Sequence, residues 1–203
     1  MTVSPPRIRP APTSDDDRSF AVGAGLRDLF ICRDVGQLLR AYATLRAVAP
    51  GLPPCGDPEL LEFAYNRLFV GPKPPVAPLY ASAYLDPERR TMGTVTLTAR
   101  RVYRALGVAS PLEGTVPDDH LSLEIDALLL MRRATEAAGA GPSHPVAALR
   151  RGFLADHVLQ WVPRLWRRAL QAPAVPPPLE ATLRLLESWL ARESRHSNEG
   201  VPP

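Results

Sequence analysis

Cysteine is almost missing from this chain: Cys32 and Cys55 are the only two, they lie far apart, and they form no C-x-x-C pair. With no clustered histidines beside them they suggest neither a disulfide framework nor a zinc site, and a reducing compartment fits. Long apolar runs are missing too. No uncharged segment is long enough to span a bilayer, and residues 1–20, with their prolines and Asp15-Asp16-Asp17, hold no stretch of signal-peptide length. The expectation is a cytoplasmic protein with no stable membrane insertion. Lysine is reduced to Lys73, so the formal net charge of +3 rests on arginines scattered along the whole chain. Five Arg-Arg pairs, at 89 and 90, 100 and 101, 132 and 133, 150 and 151, and 167 and 168, fall mostly where they would crown the solvent face of a helix. No nucleic-acid partner is expected, and a basic helical nucleic-acid-binding regulator is kept as the alternative class. Catalytic signatures are absent as well: there is no G-x-S-x-G elbow, no H-E-x-x-H and no phosphate-cradling glycine loop, and His144, His157 and His196 lack metal-ligand spacing. No catalytic residue, metal site or cofactor is expected.

What is present is enough for one core. The chain has 203 residues, 45% of them hydrophobic, which suits a single domain. Residues 1–20 and 194–203 are polar, rich in breakers and poorly patterned, and are expected to be disordered tails around a helical domain over 21–193. Within it, a helix is expected around Leu26 to Ala47, ending before Pro50-Gly51. A second is capped by Asp57 with Pro58 at its first position, and carries Leu61, Tyr65, Leu68 and Phe69 on one stripe. Lys73 to Met92, with prolines at 74, 75, 78 and 87, must be a turn-rich loop. Thr94 to Thr98 alternates like a strand, but Val95, Ala99, Val102 and Leu106 continue at helical spacing up to Gly107, which favours helix. Leu121 to Met131 is apolar around nearly its whole circumference, the mark of a buried helix. Two more follow: Ser143 to about Leu170, which Pro163 should kink, and Leu179 to Arg192. The fold class is all-α.

Three groups are candidates for function. At Pro117-Asp118-Asp119-His120 either carboxylate can cap the buried helix, Asp118 being the better placed for that bland role. Glu124 lies four residues beyond His120 on the same face and must find a donor if buried; His120 is the nearest candidate by spacing, as a structural contact or as the floor of a ligand site. Tyr80 and Tyr84, separated by Ala81-Ser82-Ala83 and followed by Asp86, either plug the core from a loop or line a groove for an apolar peptide with a basic start.

Four segments in order carry a resemblance. Phe63-x-Tyr65-x-x-Leu68-Phe69-x-Gly71-Pro72, Pro78-Leu79-Tyr80-Ala81-Ser82-x-Tyr84-Leu85-Asp86, Pro117-x-Asp119-His120-Leu121 and Phe153-Leu154-x-x-His157-Val158-x-x-Trp161 resemble the TorD/DmsD family of redox-enzyme maturation chaperones, over roughly residues 25–192. The resemblance implies a single-domain helical bundle, without enzymatic activity, that binds the twin-arginine signal peptide or the immature form of a molybdopterin-containing oxidoreductase before export. It maps Tyr80, Ser82, Tyr84, Asp86, Asp119 and His120 to the client-binding region, and Tyr65, Leu68 and Phe69 to the core. Val116 stands where the family often has Glu, and tyrosines stand where relatives commonly have tryptophan.

Overall fold

Three aspartates open the first helix. In a computed structural model, which describes residues 14–88, 93–110, 112–139, 141 and 143–198, α1 runs Asp15–Phe30. The Ser14 hydroxyl accepts from the Asp17 amide at 3.0 Å, and Asp15, Asp16 and Asp17 set negative charge against the positive end of the helix. Residues 15–20, expected in a tail, are therefore helical; residues 1–13 lie outside the described set. The helix expected from Leu26 to Ala47 is two. α1 ends at Phe30 and α2 spans Val35–Val48, because Asp34 accepts from the Gln37 amide at 2.8 Å while the Gln37 side chain takes the Arg33 amide at 3.0 Å. This reciprocal cap sits inside a continuous apolar pattern that conceals it.

α1 is the centre of the bundle, packed on α2 and on α6 (Leu121–Ala137), with α9 (Pro177–Asn198) across it. Close approach is bought with glycine: a Cβ at Gly23 would lie 2.6 Å from the Trp189 ring, and one at Gly25 2.7 Å from the Leu45 side chain. α3 (Pro58–Tyr65) begins as expected at Asp57, and the stripe of Leu61, Tyr65, Leu68 and Phe69, continued through a π turn at Asn66–Val70, is buried, with the Tyr65 hydroxyl donating to the Leu29 carbonyl at 2.9 Å. The loop after it holds a one-turn helix, α4 (Ser82–Leu85), and Thr94 to Thr98 is the start of helix α5 (Thr94–Ala105).

Ser143 to Leu170 divides into α7 (Pro145–Phe153), a wide π turn at Leu154–Val158, and α8 (Leu159–Leu170). The interruption precedes Pro163, which sits inside α8; the widened turn ends where the proline ring needs room, at the carbonyl of Leu159. α9 outruns the expected Arg192 to reach Asn198 because its last turns are anchored. Buried Glu193 takes the Ser19 hydroxyl and the guanidinium groups of Arg132 and Arg150, fastening α9 to α1, α6 and α7. Two of the five arginine pairs thus turn one member into the core instead of crowning a solvent face, Arg132 being 3% exposed and Arg150 6%; Arg89 and Arg90 lie outside the described residues. No strand occurs among the described residues, apart from one isolated antiparallel bridge between Tyr80 and His120.

Candidate functional site

That bridge joins the two segments expected to act together. The Leu121 amide donates to the Leu79 carbonyl at 2.8 Å and the Ala81 amide to the Asp119 carbonyl at 2.9 Å, so the aromatic loop lies against the turn before α6. Side chains finish the joint. Asp119, fully buried, accepts the Ser82 amide on one oxygen at 2.8 Å and the Thr96 hydroxyl on the other at 2.9 Å, tying α4 and α5 to α6. The Tyr80 and His120 rings meet edge to face with centroids 5.0 Å apart.

The helix cap corrects the sequence reading. His120 caps α6, its Nδ1 accepting from the Ser122 amide at 3.2 Å, whereas Asp118 turns away and pairs with Arg100 at 2.6 Å. Burial lowers the His120 pKa to about 4, against the pull of Asp119 and with the help of Arg33, so the imidazole is neutral and free to accept. Glu124 is corrected too. Its partners are His157 Nε2 at 2.6 Å, within the π turn, and Trp161 Nε1 at 2.8 Å, in α8, and not His120. Helical spacing pointed to a neighbour on the same helix, but the ring of His120 is committed to the cap. Burial raises the Glu124 pKa; His157 is raised as well, because burial there is outweighed by the hydrogen bond and charge of Glu124. The pair joins α6 to the π turn.

The expected site residues separate into two sets. Ser82, Asp119 and His120 are buried and engaged within the protein, while Tyr80, Tyr84 and Asp86 are half-buried and border solvent. Tyr84 lies over Trp161 with centroids 5.5 Å apart, its carbonyl accepts from Arg164 at 3.1 Å, and its hydroxyl is buried without a partner among the described residues. Asp86 accepts the Glu88 amide at 2.9 Å, closing the turn after α4. Thr96, Arg100 and the Glu124 partners went unnoticed in the sequence. Only His157 and Trp161 left a signal, their spacing of four residues within one motif. No group of three or more metal-capable side chains occurs among the described residues, and no helix there is long and apolar enough to cross a membrane.

The family model described as nitrate reductase delta subunit matches residues 36–167, which includes every residue of this joint. The chain belongs to that family. Its TorD/DmsD character, implied by the four motifs, is matched by curated relatives. The Tat proofreading chaperone DmsD of Salmonella typhi is 35% identical over 106 residues, 52% of this chain and 47% of the relative. The DmsD of Salmonella paratyphi A (strain ATCC 9150 / SARB42) is 33% identical over a segment of the same length, with the same coverage. The match thus spans about half the length of the relatives. TorD/DmsD family membership and the all-helical fold agree with the sequence reading.

Proposed function

We propose that this protein is a cytoplasmic maturation chaperone without a catalytic step, which receives the twin-arginine leader, the immature form, or both, of a molybdopterin-containing oxidoreductase before export. One observation carries the reading: Tyr80, Tyr84 and Asp86 are half-buried on a loop that is bridged to His120 and held by the buried Asp119 carboxylate. A leader of two guanidinium groups followed by an apolar stretch needs an aromatic wall and a carboxylate, on a support that does not reorganise when it binds. The buried residues Ser82, Asp119 and His120 act as that support, while Tyr80, Tyr84 and Asp86 meet the client. Release has to follow cofactor insertion, so micromolar affinity, about 8 kcal/mol, suffices. The relatives' names, proofreading chaperones of the Tat route, agree with this assignment. The nucleic-acid alternative is weakened by the arginines, since Arg100, Arg132 and Arg150 are committed to carboxylates.

The test is capture from the source cell. The tagged protein should retain one oxidoreductase precursor with its leader uncleaved, identified by mass spectrometry. Repeated recovery of no such precursor would overturn the proposal.

A further inference from the structure

Among the buried leucines and isoleucine of α6, at 121, 123, 125 and 128, one carboxylate stands out, that of Glu124, fully buried and with both oxygens engaged. Oε1 meets His157 Nε2 at 2.6 Å and Oε2 accepts from Trp161 Nε1 at 2.8 Å. Exchanging a buried polar or ionic group for a well-packed apolar side chain of similar volume is often neutral or stabilising, so stability alone does not account for a carboxylate in this helix. What it supplies is orientation. An indole carries one polar atom, the Nε1–H donor, and an apolar slot by itself accepts the ring with either edge toward α6; a single acceptor decides which. His157 secures the other oxygen, and its own ring is stacked on Phe153 with centroids 5.1 Å apart and planes within 12°. The carboxylate is thereby kept turned toward the indole.

The ring so oriented is the one against which Tyr84 packs, with centroids 5.5 Å apart and planes tilted by 30°. Tyr84 has no side-chain hydrogen bond to settle its place, since its hydroxyl is buried without a partner among the described residues. Its position depends instead on α8, through the Trp161 ring and through Arg164, which donates to the Tyr84 carbonyl at 3.1 Å. α6 and the turn before it therefore reach the one-turn helix α4 twice: directly, from Asp119 to the Ser82 amide, and indirectly, from Glu124 through Trp161 to Tyr84. We propose that Glu124 is a positioning residue for the client-facing wall, fixing the Trp161 indole with the help of His157 and, through that ring, the side chain of Tyr84. The proposal rests on the chaperone reading only for what Tyr84 meets; the chain of contacts lies wholly within this protein.

The experiment uses the full chain, labelled with ¹⁵N and with ¹³C in its tyrosine rings. The Trp161 indole signal is assigned by its loss in Trp161→Phe, and the Tyr84 ring signal by its loss in Tyr84→Phe. Glu124→Met, apolar and of similar length, should speed solvent exchange of the Trp161 indole proton by about tenfold or more and give the Tyr84 ring the relaxation of a mobile side chain, while urea unfolding stays cooperative. Precursor captured per folded molecule should fall at least threefold. Glu124→Gln should restore most of each readout, because its carbonyl accepts from the indole and its amide can donate to a neutral His157. An unchanged Tyr84 ring in folded Glu124→Met overturns the proposal. If that variant does not fold, Glu124→Met with His157→Phe, which also removes the imidazole, takes its place under the same criterion, and failure of both to fold makes the pair purely structural and overturns the proposal as well. If the wild type captures no precursor, the chaperone reading fails, while the indole and Tyr84 signals still decide the positioning.

Discussion

Replacing Asp119 by alanine should unfasten the aromatic loop, and the cost follows from the bonds it makes. The carboxylate is fully buried and accepts the Ser82 amide at 2.8 Å and the Thr96 hydroxyl at 2.9 Å. A hydrogen bond to a charged acceptor contributes about 1.5–3 kcal/mol, so losing both comes to about 3–6 kcal/mol. Removing the charge itself returns part of that, because a buried carboxylate was costly to desolvate. About 3–4 kcal/mol is therefore expected for Asp119→Ala, and at roughly 2–4 °C per kcal/mol for a chain of this size the melting midpoint should fall by about 10 °C. Urea and thermal denaturation followed by circular dichroism measure it. Thr96→Val should cost about 1–2 kcal/mol alone, and the double variant should cost less than the two singles added, since both remove the same bond. A change within 1 kcal/mol of the wild type for Asp119→Ala, with strictly additive effects, would refute the role of Asp119 as the fastening of the loop.

Other perturbations separate the remaining parts of the molecule. Glu193→Ala takes the buried carboxylate from Arg150 and from Arg132, of which Arg132 keeps Glu136 and Asp16, and should cost about 3–5 kcal/mol by urea denaturation. Tyr84→Phe has the opposite sign: it removes a buried hydroxyl that has no partner among the described residues, and stability by urea denaturation should hold or rise by up to about 1 kcal/mol. His120 is held neutral, with its folded pKa near 4 and below its ordinary value of 6.5. Its contribution is thus fully present above pH 6.5 and lost as pH falls through the window down to about 4, amounting to about 3 kcal/mol. Subtracting the stability profile of His120→Asn, which keeps a capping side chain, should isolate that acid limb; parallel profiles would contradict it.

Much of the fold was legible because it rests on local chemistry. Asp57-Pro58 announces α3, the all-round apolar run from Leu121 announces a buried helix, and Gly107 ends α5 where expected. The break between α1 and α2 was hidden because Phe30 and Leu38, on either side of it, continue one apolar pattern through a cap formed by Asp34 and Gln37. The site was legible in its segments and not in its bonds. Asp119 and Ser82 are 37 residues apart in the chain, and Glu124 and Trp161 are also 37 apart. Such partners are chosen by packing, since a buried carboxylate takes whichever donors the fold delivers, and spacing along one helix cannot name them. His120 illustrates the limit: as a residue one place inside an aspartate cap it looked exposed to function, yet its ring is the cap.

The claim that matters most is that Tyr80 and Tyr84 form the client-facing wall. It is tested most directly by quantitative capture of the oxidoreductase precursor from the source cell, comparing the wild type with Tyr80→Ala plus Tyr84→Ala under conditions where both proteins are folded by circular dichroism. The account predicts at least a tenfold loss of captured precursor, about 1.4 kcal/mol of affinity. Undiminished capture by the folded double variant would contradict it.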